Sequence, residues 1–187
     1  MGGNSTVSVI IAIVVAGILL FIVPLVTLSN RVDNVTQEDI RLIVEETVTE
    51  VKNTGKLTRA IYQNLENRLA ATGNTYDIEI EIQHLDENPG KKTAQANYTK
   101  IGENVYYSEY TTQVLRQIGI KTNNNETVNA SDDTMLLKEG DIIYISAKNS
   151  NSTQAQTLKS SFLSFSNAGE NVIEASSSGM INVNGTK

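Results

Sequence analysis

The chain has no cysteine and no tryptophan, one histidine and two prolines in 187 residues. Without a thiol, disulfide scaffolds, thiolate zinc sites, iron–sulfur clusters, lipoprotein anchoring and cysteine nucleophiles are excluded. One histidine leaves a single candidate base for a Ser/His pair and nothing for a multi-histidine metal site. Positive charge is also scarce. Fifteen basic residues against 21 acidic ones give a formal charge of −6 and a pI near 4.8. A general nucleic-acid binder needs the reverse, a cationic surface for the phosphates. Charge of either sign is missing from residues 1–30 altogether, so every ionised side chain belongs to the rest of the chain.

That uncharged segment contains the longest apolar run. Between Val7 and Leu28 only Ser8 and Thr27 are polar, and only Gly17 and Pro24 disturb helix propensity. A helix over this run is about 33 Å long, matching a hydrocarbon core of about 30 Å. A soluble core helix needs a polar face, and this run has none. A cleaved secretory signal needs a basic start, a shorter apolar core and a small-x-small site. Met1–Thr6 has no basic residue, and Leu28-Ser29-Asn30-Arg31 fits cleavage poorly, so a retained anchor fits better. Orientation has two opposed indications. Arg31 and Arg41 follow the span and nothing basic precedes it, which by the positive-inside rule faces the following domain to the cytoplasm. The Asn-, Thr- and Ser-rich, cysteine-free composition suits an exported domain instead.

The remainder predicts an α+β domain. Ile40, Ile43, Val44, Thr47, Val48 and Val51 recur at helical spacing opposite Glu38, Arg41, Glu45, Glu46 and Glu50. This predicts a helix over 37–52, with Thr36 as N-cap and Gly55 as C-cap, able to continue the membrane helix across 29–35. A second helix is expected over 58–71. Tyr76, Ile78, Ile80 and Ile82 alternate with Asp77, Glu79, Glu81 and Gln83, the pattern of a half-buried strand, and its acidic row reads as a solvated face. Beyond it the pattern predicts a polar loop over 86–100, a helix over 108–118, a second loop over 122–133 and a strand over 140–148 covered on both faces. A helix over 154–165 and two short strands at 171–175 and 180–183, around a turn at 176–179, complete the reading. The expected organisation is a polar N-terminus or leader (1–6), a membrane helix (7–28), a helical stalk and hairpin (29–73), and an α+β head with three or four strands (74–187).

No chemistry-bearing motif is complete. Pro89-Gly90-Lys91-Lys92-Thr93 looks like the end of a P-loop, but Leu85 stands at its first glycine and Lys92 where Ser or Thr is needed. His84 at a strand end reads as a rim residue. Asp132-Asp133 lacks the alternating oxygen ligands of a calcium loop. The expectation is therefore no catalytic, cofactor or metal site. Exposed tyrosines favour interfaces, which makes Tyr98, Tyr106, Tyr107 and Tyr110 the candidate interaction surface. The alternative for Tyr106 and Tyr110 is a place in the core.

The layout of short N-terminus, apolar helix with a proline, amphipathic continuation and α+β head resembles type IV pilins and pseudopilins. Met1-Gly2-Gly3 is similar to their leader, with cleavage between Gly3 and Asn4. Counting from Asn4, Pro24 falls near the depth where many pilins carry a helix proline. Ser8 stands where the family has an acidic residue, and the leader lacks a basic one. A second resemblance rests on Val51–Thr58, Leu69–Asp77, Leu137–Asp141 and Ala155–Leu158. These look like the small membrane-anchored proteins of tight-adherence (Tad) pilus systems in Gram-positive bacteria. The resemblance implies a minor pilin or pseudopilin-like subunit held in the cytoplasmic membrane, with residues 31–187 outside it and no catalytic residues. Its implied partners are the lipid bilayer, pilus or secretion-type assembly proteins and copies of itself, with no nucleic acid and no cofactor. Val14, Gly17, Leu20 and Pro24 are the candidate assembly positions on the helix. The competing reading is a membrane-tethered binding or adhesion module outside any filament.

Overall fold

The computed structural model describes residues 3–85, 106–122, 133–153, 156–157, 160–161 and 172–186. The expected loop over 86–100, most of that over 122–133, most of the expected helix over 154–165, and Tyr98 lie outside these residues; 156–157 and 160–161 are helical. Among these residues the chain forms an α+β fold with a long N-terminal apolar helix and six strands in two sheets. Two compact units are distinguished, one of residues 1–38 with 152–173, the other of 39–151 with 174–187.

One helix, α1 (Gly3–Thr54), takes the place of the expected membrane helix, linker and amphipathic helix. Thr36 is therefore not an N-cap. It is a buried residue within the helix. The helix ends at Gly55, whose φ of +64° and amide bond to the Val51 carbonyl (2.8 Å) form a left-handed C-cap. The next segment is a strand, β1 (Lys56–Thr58), between two helices with no strand expected there. Thr58 then caps α2 (Arg59–Ala70), its hydroxyl accepting the Ile61 amide at 3.1 Å.

The main sheet contains β2 (Tyr76–Leu85), β3 (Tyr106–Tyr110), β5 (Ile142–Asn149) and β6 (Glu174–Met180), in the order β3-β2-β5-β6 with every pair antiparallel. β4 (Thr134–Leu136) pairs only with β1. Three expectations are corrected. The helix over 108–118 is a strand as far as Tyr110 and the helix α3 only over Thr111–Gln117, because Tyr107, Ser108 and Glu109 pair with β2. The strand at 140–148 starts at Ile142, since Gly140 at φ +95° and Asp141 form a turn. It is not covered on both faces, and Tyr144 is exposed. The two expected strands near residue 175 are one, with the supposed turn Ser176–Gly179 paired to Ile143–Ser146.

In the second unit the sheet presents one face to the core. Ile80 faces Ile145, and Ile82 faces Ile143, in register, and all four are essentially without solvent contact. Ile40, Val44, Val48 and Val51 of α1 are buried in the same unit with Leu65 and Leu69 of α2 and Val114 and Ile118 around α3. Each large apolar side chain so enclosed contributes about 1.5–3 kcal/mol. Gly179 on β6 lies where a Cβ would stand 3.3 Å from Val48 and 3.0 Å from Lys52, so glycine lets the helix approach the strand. The segment after β6 closes this core: the Asn182 amide donates to the Lys52 carbonyl (3.1 Å), Gly185 to Leu137 (2.8 Å), and Leu137 to Gly55 (2.8 Å). A Cβ on Gly55 would collide with the backbone of Val183 and Gly185, and one on Gly185 with the Gly55 carbonyl.

Gly55→Ala combines a left-handed backbone with that collision. It is expected to cost at least about 2 kcal/mol. Urea denaturation of the full chain in detergent, followed by far-ultraviolet circular dichroism, measures it. A midpoint equal to that of the parent would show that the close backbone approach is dispensable.

Candidate functional site

The apolar end of α1 is bare. Its most apolar 18-residue window has a mean hydropathy of 3.3, with none of it buried against the rest of the chain, and the helix is long and apolar enough to cross a membrane. Gly3 and Asn4 are its first two residues. Val14 and Leu20 are exposed, Leu20 at 70%. Among the described residues Gly17 has no atom within 4 Å of where a Cβ would sit, so no contact there requires glycine. Pro24 is exposed within the uninterrupted helix. It cannot donate the bond to the carbonyl four residues back. One turn on, the Thr27 hydroxyl donates to the Val23 carbonyl at 2.8 Å, a contact that bends helices slightly.

Exposure of apolar side chains continues beyond the uncharged run. Val32 and Val35 stand open at 54% and 61%. With Leu25 and Leu28 they make a 3-4-3 spacing, the period of a helix seam that meets another helix. On another side of the same turns, Asp33 and Thr36 are buried, and Asp33 Oδ2 accepts the Thr153 hydroxyl at 2.8 Å.

The tyrosines of β3 divide between the two faces of the sheet. Tyr106 (half-buried) and Tyr110 (60% exposed) alternate with Tyr107 (51%), so the sequence-predicted surface is not one patch. Tyr107 lies against His84, with ring centroids 5.0 Å apart. His84 Nδ1 is 3.0 Å from Asp141 Oδ2, and Nε2 is 3.8 Å from Glu109 Oε2. Asp141, 2% exposed, also accepts the amides of Leu85 (3.0 Å) and Lys138 (2.9 Å). Asp141 thus pins a turn to the end of β2, and both imidazole nitrogens face carboxylates. Ser108 of β3 is on the opposite face, where its hydroxyl donates to Glu81 (2.8 Å). Sequence reasoning missed this cluster because Asp141 meets His84 only through the β2–β5 pairing.

That opposite face holds a second arrangement. Tyr110, Glu81 and Tyr144 are in register on β3, β2 and β5, so the carboxylate stands between two exposed tyrosines. With Glu79, Ile80, Thr111 and Thr112 they line an open cleft of roughly 380 Å³. Its walls are fixed. Thr111 Oγ1 accepts the Ile80 amide (2.8 Å) and donates to the Ile80 carbonyl (3.3 Å), while Gln113 Oε1 accepts the Tyr110 amide (2.9 Å). Glu81 Oε1 accepts from Gln83 Nε2 (3.0 Å) and the Ser108 hydroxyl (2.8 Å), and these two bonds hold its carboxyl below the ordinary range. Among the described residues no group of three or more His, Asp or Glu side chains is placed to hold a metal ion.

No protein-family model, curated protein or solved structure matches the chain.

A carboxyl with a lowered pKa favours the folded state above its unfolded value, about pH 4.3. That contribution fades as the pH falls through the lower folded value. Ser108→Ala removes one of the two donors and is expected to move the Glu81 titration up toward the ordinary range, by carbon-13 NMR of the side-chain carboxyl. An unmoved titration would mean that Ser108 does not support the charge.

Proposed function

We propose that this chain is a single-pass, membrane-anchored subunit of a type IV or Tad-like pilus or related assembly machine, with its α+β head on the extracytoplasmic side. The observation that carries the reading is α1 itself. One uninterrupted helix supplies an uncharged apolar end without intrachain cover and, from Ile40 onward, a buried face in the core of an antiparallel sheet domain. Such a helix suits an element shared between a membrane or helical bundle and a head. The exposed Val32 and Val35 extend its apolar seam past the span, which favours contact with another helix over a simple lipid anchor. The resemblance of Met1-Gly2-Gly3 to a pilin leader supports the same reading, with maturation between Gly3 and Asn4. An anchored binding or adhesion module is the second reading, favoured by the exposed Tyr110 and Tyr144.

A charge in the uncovered apolar surface tests the anchor. Val14→Asp and Leu20→Asp each cost several kilocalories per mole in hydrocarbon, on the order of 3. Each variant is expected to leave the membrane or sheared-fibre fraction, while a stable head persists by circular dichroism. Unchanged fractionation of both would count against an assembly role for this helix. Orientation is tested separately. With no native cysteine, Asn64→Cys on an exposed position of α2 is a single reporter. It is expected to react with a membrane-impermeant maleimide in intact cells. Labelling only after lysis would place the head in the cytoplasm.

A further inference from the structure

The cleft beside Tyr110 carries an unbalanced charge between aromatic walls. Along the outer face of β2, Asp77, Glu79 and Glu81 occupy every second position. Asp77 has a cation opposite it, since Lys148 stands between it and Glu174 in register across β5 and β6. Glu79 and Glu81 face serine or tyrosine instead, and no cationic side chain lines the cleft among the described residues. Among the described residues both donors to Glu81 reach Oε1, so its second oxygen retains its acceptor capacity. Tyr110 and Tyr144 flank it from the two neighbouring strands, about 10 Å apart at the backbone. That spacing admits a flat group between or against the rings.

We infer that this cleft binds a guanidinium group, presented as an arginine side chain by a partner protein. The geometry selects the chemistry in three ways. A hard metal ion needs six or more oxygens at about 2.0–2.6 Å, and two carboxylates about 7 Å apart along one strand do not close around one. An ammonium is a compact, strongly hydrated point charge that gains little from flanking tyrosines, whereas a guanidinium is planar, stacks on aromatic faces and presents five donors. Its fork reaches the free oxygen of Glu81 while its edge points toward Glu79 or the threonine hydroxyls at the start of α3. Restraint of the Glu81 and Thr111 side chains and of the Tyr110 backbone by the bonds given above reduces what must be ordered on binding. The inference needs neither a membrane nor a filament, so it stands apart from the function proposed for α1.

The test uses the full chain in detergent micelles with isotope-labelled tyrosine. Nα-acetyl-arginine amide is titrated while the ring signals are followed by NMR, with Tyr110 and Tyr144 assigned from phenylalanine variants. The expected result is a saturable shift of those two signals, half-complete at millimolar concentration. Nα-acetyl-lysine amide should bind at least fivefold more weakly. Glu81→Gln and, separately, Tyr144→Leu should each weaken arginine binding about tenfold, with circular dichroism unchanged. These two substitutions act on different walls of a solvent-facing cleft, so one remains informative where the other perturbs folding. A shift that does not saturate, one equal for lysine, or one that survives both substitutions would overturn the assignment.

Discussion

The burial of one face of α1 against the sheet is the contact on which the second unit depends. Ile40, Val44, Val48 and Val51 are buried in the same unit as Ile80, Ile82, Ile143 and Ile145, Val48 and Lys52 lie against Gly179 of β6, and no other described helix supplies so long an apolar face. The sheet needs that cover because its central strands β2 and β5 carry isoleucine at alternate positions, which water would otherwise meet. The same requirement explains Gly179, where any side chain would hold the helix off the strand. It also explains why α1 ends where it does. Gly55 turns the chain at the point where the segment following β6 crosses it, and three amides and three carbonyls are satisfied around that crossing.

α1 therefore meets two different surroundings along its length. Near its start every turn is apolar on all sides, which is stable only where water is excluded. From Ile40 onward apolar residues narrow to a stripe, and Glu45, Glu46 and Glu50 face solvent. The change in pattern is a change of solvent read along a single helix. Residues 29–36 carry both characters at once, with Val32 and Val35 exposed while Asp33 is buried on a hydrogen bond to Thr153.

How much of this is legible in the sequence depends on whether the signal is local. Strict alternation over Tyr76–Gln83 identifies β2, and the heptad-like spacing over Ile40–Val51 identifies the buried face of α1. The continuity of α1 is weaker in the sequence, because Pro24 and the polar stretch 29–36 both resemble breaks. β3 is hidden by Tyr110, Val114, Leu115 and Ile118, whose helical spacing extends back over residues that pair as strand. β6 is hidden for the opposite reason. Ala175, Ser176, Ser177, Ser178 and Gly179 have no hydrophobic alternation, and they form a strand because β5 offers an open edge and α1 requires small residues there. β1 and β4, three residues each, have no signature apart from each other. The Tyr110–Glu81–Tyr144 row and the His84–Asp141 contact share this property. They exist only once strands distant in the chain are in register.

The crossing of Gly55 and Gly185 also dictates an order of events. Gly55 is made early in synthesis and Gly185 late, yet each occupies space that the other's side chain would need. The two glycines are far apart in sequence, and contacts of such high sequence separation are slow to form. While that happens, the apolar start of α1 is already complete and needs nothing from the rest of the chain to be a helix. Until the joint closes, the valine and isoleucine face of α1 is apolar surface of the kind that makes incompletely folded chains prone to association.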